Sequence, residues 1–424
     1  MISLRQARSS SRTSEAAPRV GLFGLLGQGN LGNDGSLEAV LAYLKEKHPD
    51  AILDSLCSGA EQVTARYGIP ATRWHWYHLD DHSAPGIGLA MKFLGLGVDA
   101  FRTASWVRRH DTVIVPGMGV LETSLPLRPW QTPYRLFVLS ASGRLFGTKV
   151  ALVSVGATVI RQPLTRWLIT AAARLAHYRS FRNTVSRDAM RQMGLDTSGD
   201  AVYPDVAFAL PTPRDDHSAT GTVGVGVMDY YGGNNDRRQA HDLHASYVEK
   251  MKRFVLWLVD NSHPIRLLTG DQGDERVVQE IIADLRARRP DLDPLWVIAE
   301  PVSSLHELMR QMASVDIVVA MRYHNVVCAL KLAKPTLCIG YAAKHDVLMA
   351  DMGLSEFCQS GKSLDFDLLI EQFIELERRS AQLRQTIIER NATKARLVDQ
   401  QFAELSCVLF SAAKHSIRQI DVDR

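Results

Sequence analysis

Residues 20–36 read VGLFGLLGQGNLGNDGS, and this stretch sets the fold class. Residues 20–26 are a short apolar run of strand length. A glycine-rich loop follows at once, and residues 36–47 then place Leu37, Val40, Leu41 and Leu44 on one helical face. A strand, a glycine loop and a helix in that order open a doubly wound α/β unit, in which ligands sit beyond the carboxyl ends of the strands. The pattern recurs outward along the chain. Further strands are predicted at 51–56, 112–115, 150–155, 178–185 and 202–206, with helices between them, notably at 132–146 and 163–176. Residues 210–220 are rich in proline, aspartate, serine and threonine and read as a linker. The alternation restarts with strands at 223–227, 265–268, 295–298, 317–320 and 336–339 and helices at 242–259, 274–288, 304–313 and 323–333. Residues 364–415 read as helical, with Ser363 as N-cap. The expectation is an α/β protein of two Rossmann-like domains, 19–212 and 221–424, facing across a cleft, with the helical segment 364–415, counted in the second, either bracing that domain or crossing to the first.

Composition excludes several classes. The 424 residues are 46% hydrophobic and 22% charged, ordinary for a packed globular chain. The five cysteines, Cys57, Cys328, Cys338, Cys358 and Cys407, show no CxxC spacing, so neither a disulfide framework nor a zinc module is expected, and no metal site is predicted. The longest apolar stretch, 151–176, is broken by Arg161, Arg166 and Arg174, so no transmembrane helix is expected. Residues 1–18 lack an apolar face and read as a disordered basic tail. Arg5, Arg8, Arg12 and Arg19 against Glu15 account for the whole net charge of +3. The body is neutral, and nucleic-acid binding has no electrostatic support.

Four segments carry candidate chemistry. Gly27-Gln28-Gly29-Asn30-Leu31-Gly32 is a literal GxGxxG with Asp54 near the end of the second strand. Asn33, Asp34 and Gly35 follow it and favour a longer loop, with the helix beginning near Ser36. The loop reads as a ligand-lining anion or sugar site, a plain tight turn, or a dinucleotide site. Pro116-Gly117-Met118-Gly119-Val120-Leu121 follows the third strand, where glycines permit close backbone approach to a ligand or simply make a turn. Residues 161–191 hold seven arginines against Asp188, the only acid; guanidinium groups match carboxylate and phosphate geometry, although most should be solvated. Met321-Arg322-Tyr323-His324 stands at the carboxyl end of an apolar strand, offering an anion clamp and an acid/base group at positions expected to be poorly buried. Tyr341, Lys344 and His345 follow the next strand and should reach the same edge.

Taken in order, these segments resemble the polysaccharide pyruvyltransferases. The matching motifs are Gly29-Asn30-Leu31-Gly32-Asn33-Asp34, Gly117-Met118-Gly119-Val120-Leu121, Arg187-Asp188, Pro204-Asp205-Val206-Ala207-Phe208, Arg322-Tyr323-His324, and Pro335 with Tyr341-Ala342-Ala343-Lys344. Asn33 is an insertion and Met118 a substitution relative to the usual pattern. The resemblance implies a GT-B-like fold and transfer of pyruvyl from phosphoenolpyruvate onto a sugar, free or lipid-linked, as a ketal. It implies no cofactor, and a cytoplasmic enzyme that meets the inner face of the membrane when its acceptor is lipid-linked. His324, Arg322 and Arg187 are the implied catalytic set. Gly29, Asn30, Gly32, Asp34, Gly117, Gly119, Tyr341 and Lys344 are the implied substrate contacts. Asp188 either orients Arg187 or caps its helix. The competing expectations are a nucleotide-sugar glycosyltransferase of the same fold, a dinucleotide oxidoreductase, and a non-catalytic member of a polysaccharide assembly.

Overall fold

A computed structural model describes residues 17–76, 85–122, 129–213 and 220–410. The expected tail through residue 16, the centre of the expected linker and the end of the expected terminal helix lie outside the described residues.

The first half runs β1 (Arg19–Gly24), α1 (Leu31–Lys47), β2 (Ile52–Cys57), α2 (Ala60–Tyr67), β3 (Ala71–Arg73), α3 (Pro85–Val107), β4 (Thr112–Val115), α4 (Thr132–Phe146), β5 (Lys149–Val155), α5 (Pro163–Leu175), β6 (Tyr178–Phe181), α6 (Thr184–Gln192) and β7 (Ala201–Val202). Its seven strands are ordered β3-β2-β1-β4-β5-β6-β7, and every pairing is parallel. The second half runs β8 (Val223–Gly226), α7 (Ala240–Asp260), β9 (Ile265–Leu268), α8 (Glu275–Arg288), β10 (Val297–Ala299), α9 (Leu305–Ala313), β11 (Ile317–Ala320), α10 (Tyr323–Lys331), β12 (Thr336–Gly340), α11 (Ala343–Asp351), β13 (Cys358–Ser360), α12 (Phe366–Arg378) and α13 (Ser380–Phe410). Its six strands, again all parallel, are ordered β10-β9-β8-β11-β12-β13. Each sheet is doubly wound. Strand order reverses beside β1 and β4 in one and beside β8 and β11 in the other, and the central strands read as continuous apolar runs because helices cover both faces.

Helix α1 begins at Leu31, not near Ser36. Asn30 caps it, its side chain accepting from Asn33 N at 3.2 Å, and Asp34 accepts from Gly27 N at 2.7 Å. Cap bonds and an acid in the first turn outweigh the poor helix propensity of Asn33, Asp34 and Gly35. The strand expected through 185 stops at Phe181, where Asn183 caps α6 by accepting from Ser186 N at 2.8 Å. Asp188 is therefore not the cap. The strand expected at 202–206 ends at Val202, and Asp205 instead caps a short 3-10 turn, Val206–Ala209.

The terminal segment divides into two helices. Asp365, rather than Ser363, caps α12. Helix α13 touches α12 and α10 and then crosses to the first sheet. There Gln401 donates to Ser154 Oγ at 2.8 Å and Ser180 Oγ at 2.9 Å, and Lys149 Nζ donates to the carbonyls of Val408 and Leu409 at 2.9 and 3.0 Å. Phe402 stacks on Tyr43 of α1 with ring centroids 4.5 Å apart. The segment does both of the things expected of it: α12 packs on α7 and β12 of the second domain, and the end of α13 crosses to the first.

Candidate active site

The loops at both reversal points open into one cavity between the domains, with a volume of about 1150 Å³. The first domain supplies the N-cap and first turn of α1 (Asn30, Asn33), the turn after β4 (Met118, Gly119, Glu122), the segment before α5 and the start of α6. The second supplies the loop after β8, the start of α10 and the start of α11.

Helix α10 is pointed into this cavity by its own termination. Arg322 is its N-cap residue, so Arg322, Tyr323 and His324 stand where strand β11 hands over to helix. Arg322 donates from Nε and Nη2 to the two oxygens of Asp274 at 2.9 and 2.6 Å. Asp274 is fully buried and also accepts from the backbone N–H groups of Asp229 and Gly270. Arg322 is only 20% exposed, less than the sequence implied, because this bidentate pair holds it down. Removing the guanidinium would strand a buried carboxylate, so Arg322→Ala costs more stability than a solvated arginine would.

His324 reaches the other domain. Its Nε2 lies 3.6 Å from Oδ2 of Asp205, and its ring rests on the backbone of Gly32 in the first turn of α1. Asp205 is fully buried and accepts from Ala207 N at 3.0 Å and from Arg182 Nη1 at 3.4 Å. Arg182 also pairs closely with Glu122, and Glu122 Oε2 accepts from Lys344 Nζ at 3.0 Å. Gly156 makes room for the Glu122–Arg182 contact, since any Cβ there would strike both side chains. The rings of Tyr323 and Tyr341 lie under these cations: Arg182 is 4.7 Å from the Tyr323 centroid, and Lys344 is 5.3 and 5.2 Å from Tyr323 and Tyr341.

This network fixes ionisation. Burial alone would raise the Glu122 carboxyl, but Arg182 and Lys344 outweigh it and hold the pKa down to about 2. Asp205 is likewise held below its ordinary value, against its burial, by His324 and Arg182. His345 behaves differently. Burial and then Lys344 press its pKa down to about 3, and it is spent between the carbonyls of Ala342 and Met321.

The profile of the polysaccharide pyruvyl transferase family matches residues 30–342. The chain belongs to that family. No curated protein matches the sequence. Among solved structures, the chain is similar in fold to a putative UDP-N-acetylglucosamine 2-epimerase of Listeria monocytogenes (TM-score 0.59, 11% identity, 92% of this chain and 96% of that one). It is also similar to HepE of Anabaena in complex with UDP and glucose (0.57, 13%, 92% and 99%) and to the UDP-GlcNAc 2-epimerase of Neisseria meningitidis bound to UDP-GlcNAc (0.55, 12%, 91% and 99%). These likenesses establish the GT-B-like architecture of this family member.

Within this GT-B-like fold, the cavity gathers Asn30, Gly119, Arg322, His324, Tyr341 and Lys344 from the site residues expected from the sequence. Gly29, Gly32, Asp34 and Gly117 do not line it. Gly29 turns the loop at positive φ, Asp34 ties that loop down, and Gly117 accepts from the Ser36 hydroxyl. Arg187 does not line it either. It sits one turn inside α6, 4.0 Å from Asp188, which pairs more closely with Arg191. Of the arginines in 161–191, Arg161 and Arg182 line the cavity, and Arg182 stands in the strand-to-helix turn within the strand expected over 178–185. Glu122, Tyr323 and Asp274 were also missed. A carboxylate just past a glycine turn was the available signal for Glu122; nothing local marks Asp274.

Two expectations follow for this pyruvyl transferase family member. Gly32→Ala would place a Cβ 1.8 Å from His324 Nδ1. Displacing the ring by about 1 Å should lower turnover by roughly 100-fold, which steady-state kinetics would check. The second concerns acid. Glu122 titrates at an ordinary 4.5 when unfolded and at about 2 when folded. A depressed carboxylate contributes stability that is present above the unfolded pKa and lost as pH falls through the folded one, here between those two values, on the order of 3 kcal/mol. Asp205 acts in the same direction. Urea unfolding at about pH 6 and about pH 3 should show the loss, and Glu122→Gln should make it smaller.

Proposed function

We propose that this protein transfers the pyruvyl group of phosphoenolpyruvate to two hydroxyls of one sugar of a cell-surface polysaccharide or glycolipid, giving a cyclic ketal and inorganic phosphate. The observation that carries the reading is the charge of the cavity: Arg161, Arg182, Arg237, Arg322, Lys344 and Lys362 line it against Glu122 and Asp236, and cations remain in excess when Asp205 and Asp274, bonded to Arg182 and Arg322, are counted. A small donor bearing both a carboxylate and a phosphate suits that field.

The chemistry assigns the roles. Addition of the first hydroxyl to C2 requires protonation of the donor's methylene carbon and loss of the hydroxyl proton. Displacement of phosphate by the second hydroxyl requires stabilisation of the departing dianion and loss of a second proton. No oxidation state changes overall, so no redox cofactor is called for. His324 is the acid/base group, placed beside Asp205. Arg322, locked by Asp274, presents its remaining edge to the carboxylate. Lys344 and Arg182 stabilise phosphate from opposite domains. Asn30 and Gly119 lie on the first-domain side with the acceptor. Among the described residues no helix is long and apolar enough to cross a membrane. The reading places the protein in the cytoplasm, where phosphoenolpyruvate is made.

Thermal shifts with separate ligands test this. Phosphoenolpyruvate at 100-fold over its Kd should stabilise the protein by about 2.7 kcal/mol, and phosphate release should require an acceptor sugar. Stabilisation by UDP-sugars instead would favour a nucleotide-sugar transferase. Stabilisation by neither would favour a non-catalytic role in polysaccharide assembly.

A further inference from the structure

One face of the first domain is unusually apolar and cationic beside the cleft. Trp130, Val159, Leu164 and Trp167 are 48%, 47%, 36% and 54% exposed. They lie on α5 and on the segments leading into α4 and α5. Trp167 packs on Phe137 of α4 with centroids 5.2 Å apart, Leu164 lies one turn before it on α5, and Trp130 leads into α4 beside Tyr134 at 6.4 Å. Pro129, Val159 and Arg161 are also cavity-lining residues, so the face runs up to the cleft mouth. Helices α4 and α5 contain no aspartate or glutamate; Arg135 is turned inward against Asp99 and Trp74, while Arg144, Arg166 and Arg174 donate only to backbone carbonyls among the described residues.

We infer that this face docks the protein on an anionic phospholipid bilayer, with the cleft mouth held at the headgroup level. Half-exposed tryptophan rings are suited to a membrane interface, where an apolar body and a polar N–H are both satisfied. Arg144, Arg161, Arg166 and Arg174, with no acid on either helix, match the negative surface of the bilayer. A second copy of the chain fits poorly, because a two-fold contact would set the same arginines against each other. The inference deepens the proposed function by placing acceptor capture at a membrane surface, and it rests on that reading only for what the acceptor is.

Co-sedimentation of the full chain with vesicles tests it. Vesicles of phosphatidylcholine with about 30 mol% phosphatidylglycerol should bind the protein, and pure phosphatidylcholine should bind it much less. The double variant Trp130→Ser/Trp167→Ser should bind anionic vesicles roughly tenfold or more weakly. Its turnover with phosphoenolpyruvate and a short water-soluble acceptor should be unchanged. That variant keeps Arg5, Arg8 and Arg12, so the loss is assigned to this face and not to the N-terminal segment. Because Trp167 packs on Phe137, Trp130→Ser and Leu164→Ser are measured singly as well, each expected to weaken binding by roughly threefold. The inference is overturned if the parent protein binds neither vesicle, if these variants bind like the parent, or if the parent is a dimer that the double variant makes monomeric. Loss of vesicle binding with full soluble turnover leaves the proposed reaction standing. Absence of turnover with any acceptor while vesicle binding persists strikes the reaction and not the surface.

Discussion

Replacing His324 with alanine is expected to lower turnover by roughly 100- to 10,000-fold while leaving the fold nearly intact. The side chain is 15% exposed, and its approach to Asp205, at 3.6 Å, is an ion-pair distance rather than a hydrogen bond. Asp205 keeps Arg182 and the Ala207 N–H when the imidazole is gone, so no buried charge is abandoned, and the stability change should be about 1 kcal/mol. Single-turnover kinetics and urea unfolding of the same preparation separate the two quantities. Turnover close to the parent's would remove His324 from the chemistry. A variant that did not fold would make it a core residue instead. Asp205→Asn tests the support independently: as a positioning residue, Asp205 should affect the pH profile of turnover more than donor KM.

The second large effect falls on Arg182. Arg182→Met should cost about 3–5 kcal/mol, since it leaves Glu122 and Asp205 inside the protein without their shared cation. Arg182→Lys should fold better but raise the KM for phosphoenolpyruvate, because an ammonium cannot span two carboxylates and still present an edge to the donor. Arg187→Lys should change neither donor KM nor acceptor KM, since Arg187 lies outside the cavity lining on α6. Measuring all three with donor and acceptor varied separately decides which arginine serves the first domain. An Arg187 defect confined to donor KM would reverse the assignment.

These two arginines differ in a property that local sequence does not specify. Both follow β6 in an arginine-rich stretch, and the motif drew attention to the Arg-Asp pair. What selects Arg182 is the end of the strand at Phe181 and the Asn183 cap, which turn Arg182 inward beneath Gly156. Strand ends are set by hydrogen bonds to neighbouring strands, and β6 pairs with β7 only through Ser180 and Phe181. Helix α1 is a second example. The local preferences of Asn33, Asp34 and Gly35 argued for loop, yet these residues form its first turn, and the glycine at 32 is there because His324 of the other domain occupies the space a side chain would need.

The sequence by itself determined the doubly wound architecture, because alternating apolar runs and amphipathic stretches leave few ways to bury a parallel sheet on both faces. It also determined that Arg322, His324 and Lys344 would meet at one sheet edge, since a residue following a parallel strand must emerge at its carboxyl end. Only the tertiary structure decided which charges compensate one another. Glu122 with Arg182 and Lys344, Asp205 with His324, and Asp274 with Arg322 are each brought together from distant parts of the chain. Two of these contacts cross between the domains. Such pairs have no sequence period, because they arise from how two sheets and a crossing helix close on one another, and burial then makes the loss of Arg182 or Arg322 costly to the carboxylates they hold.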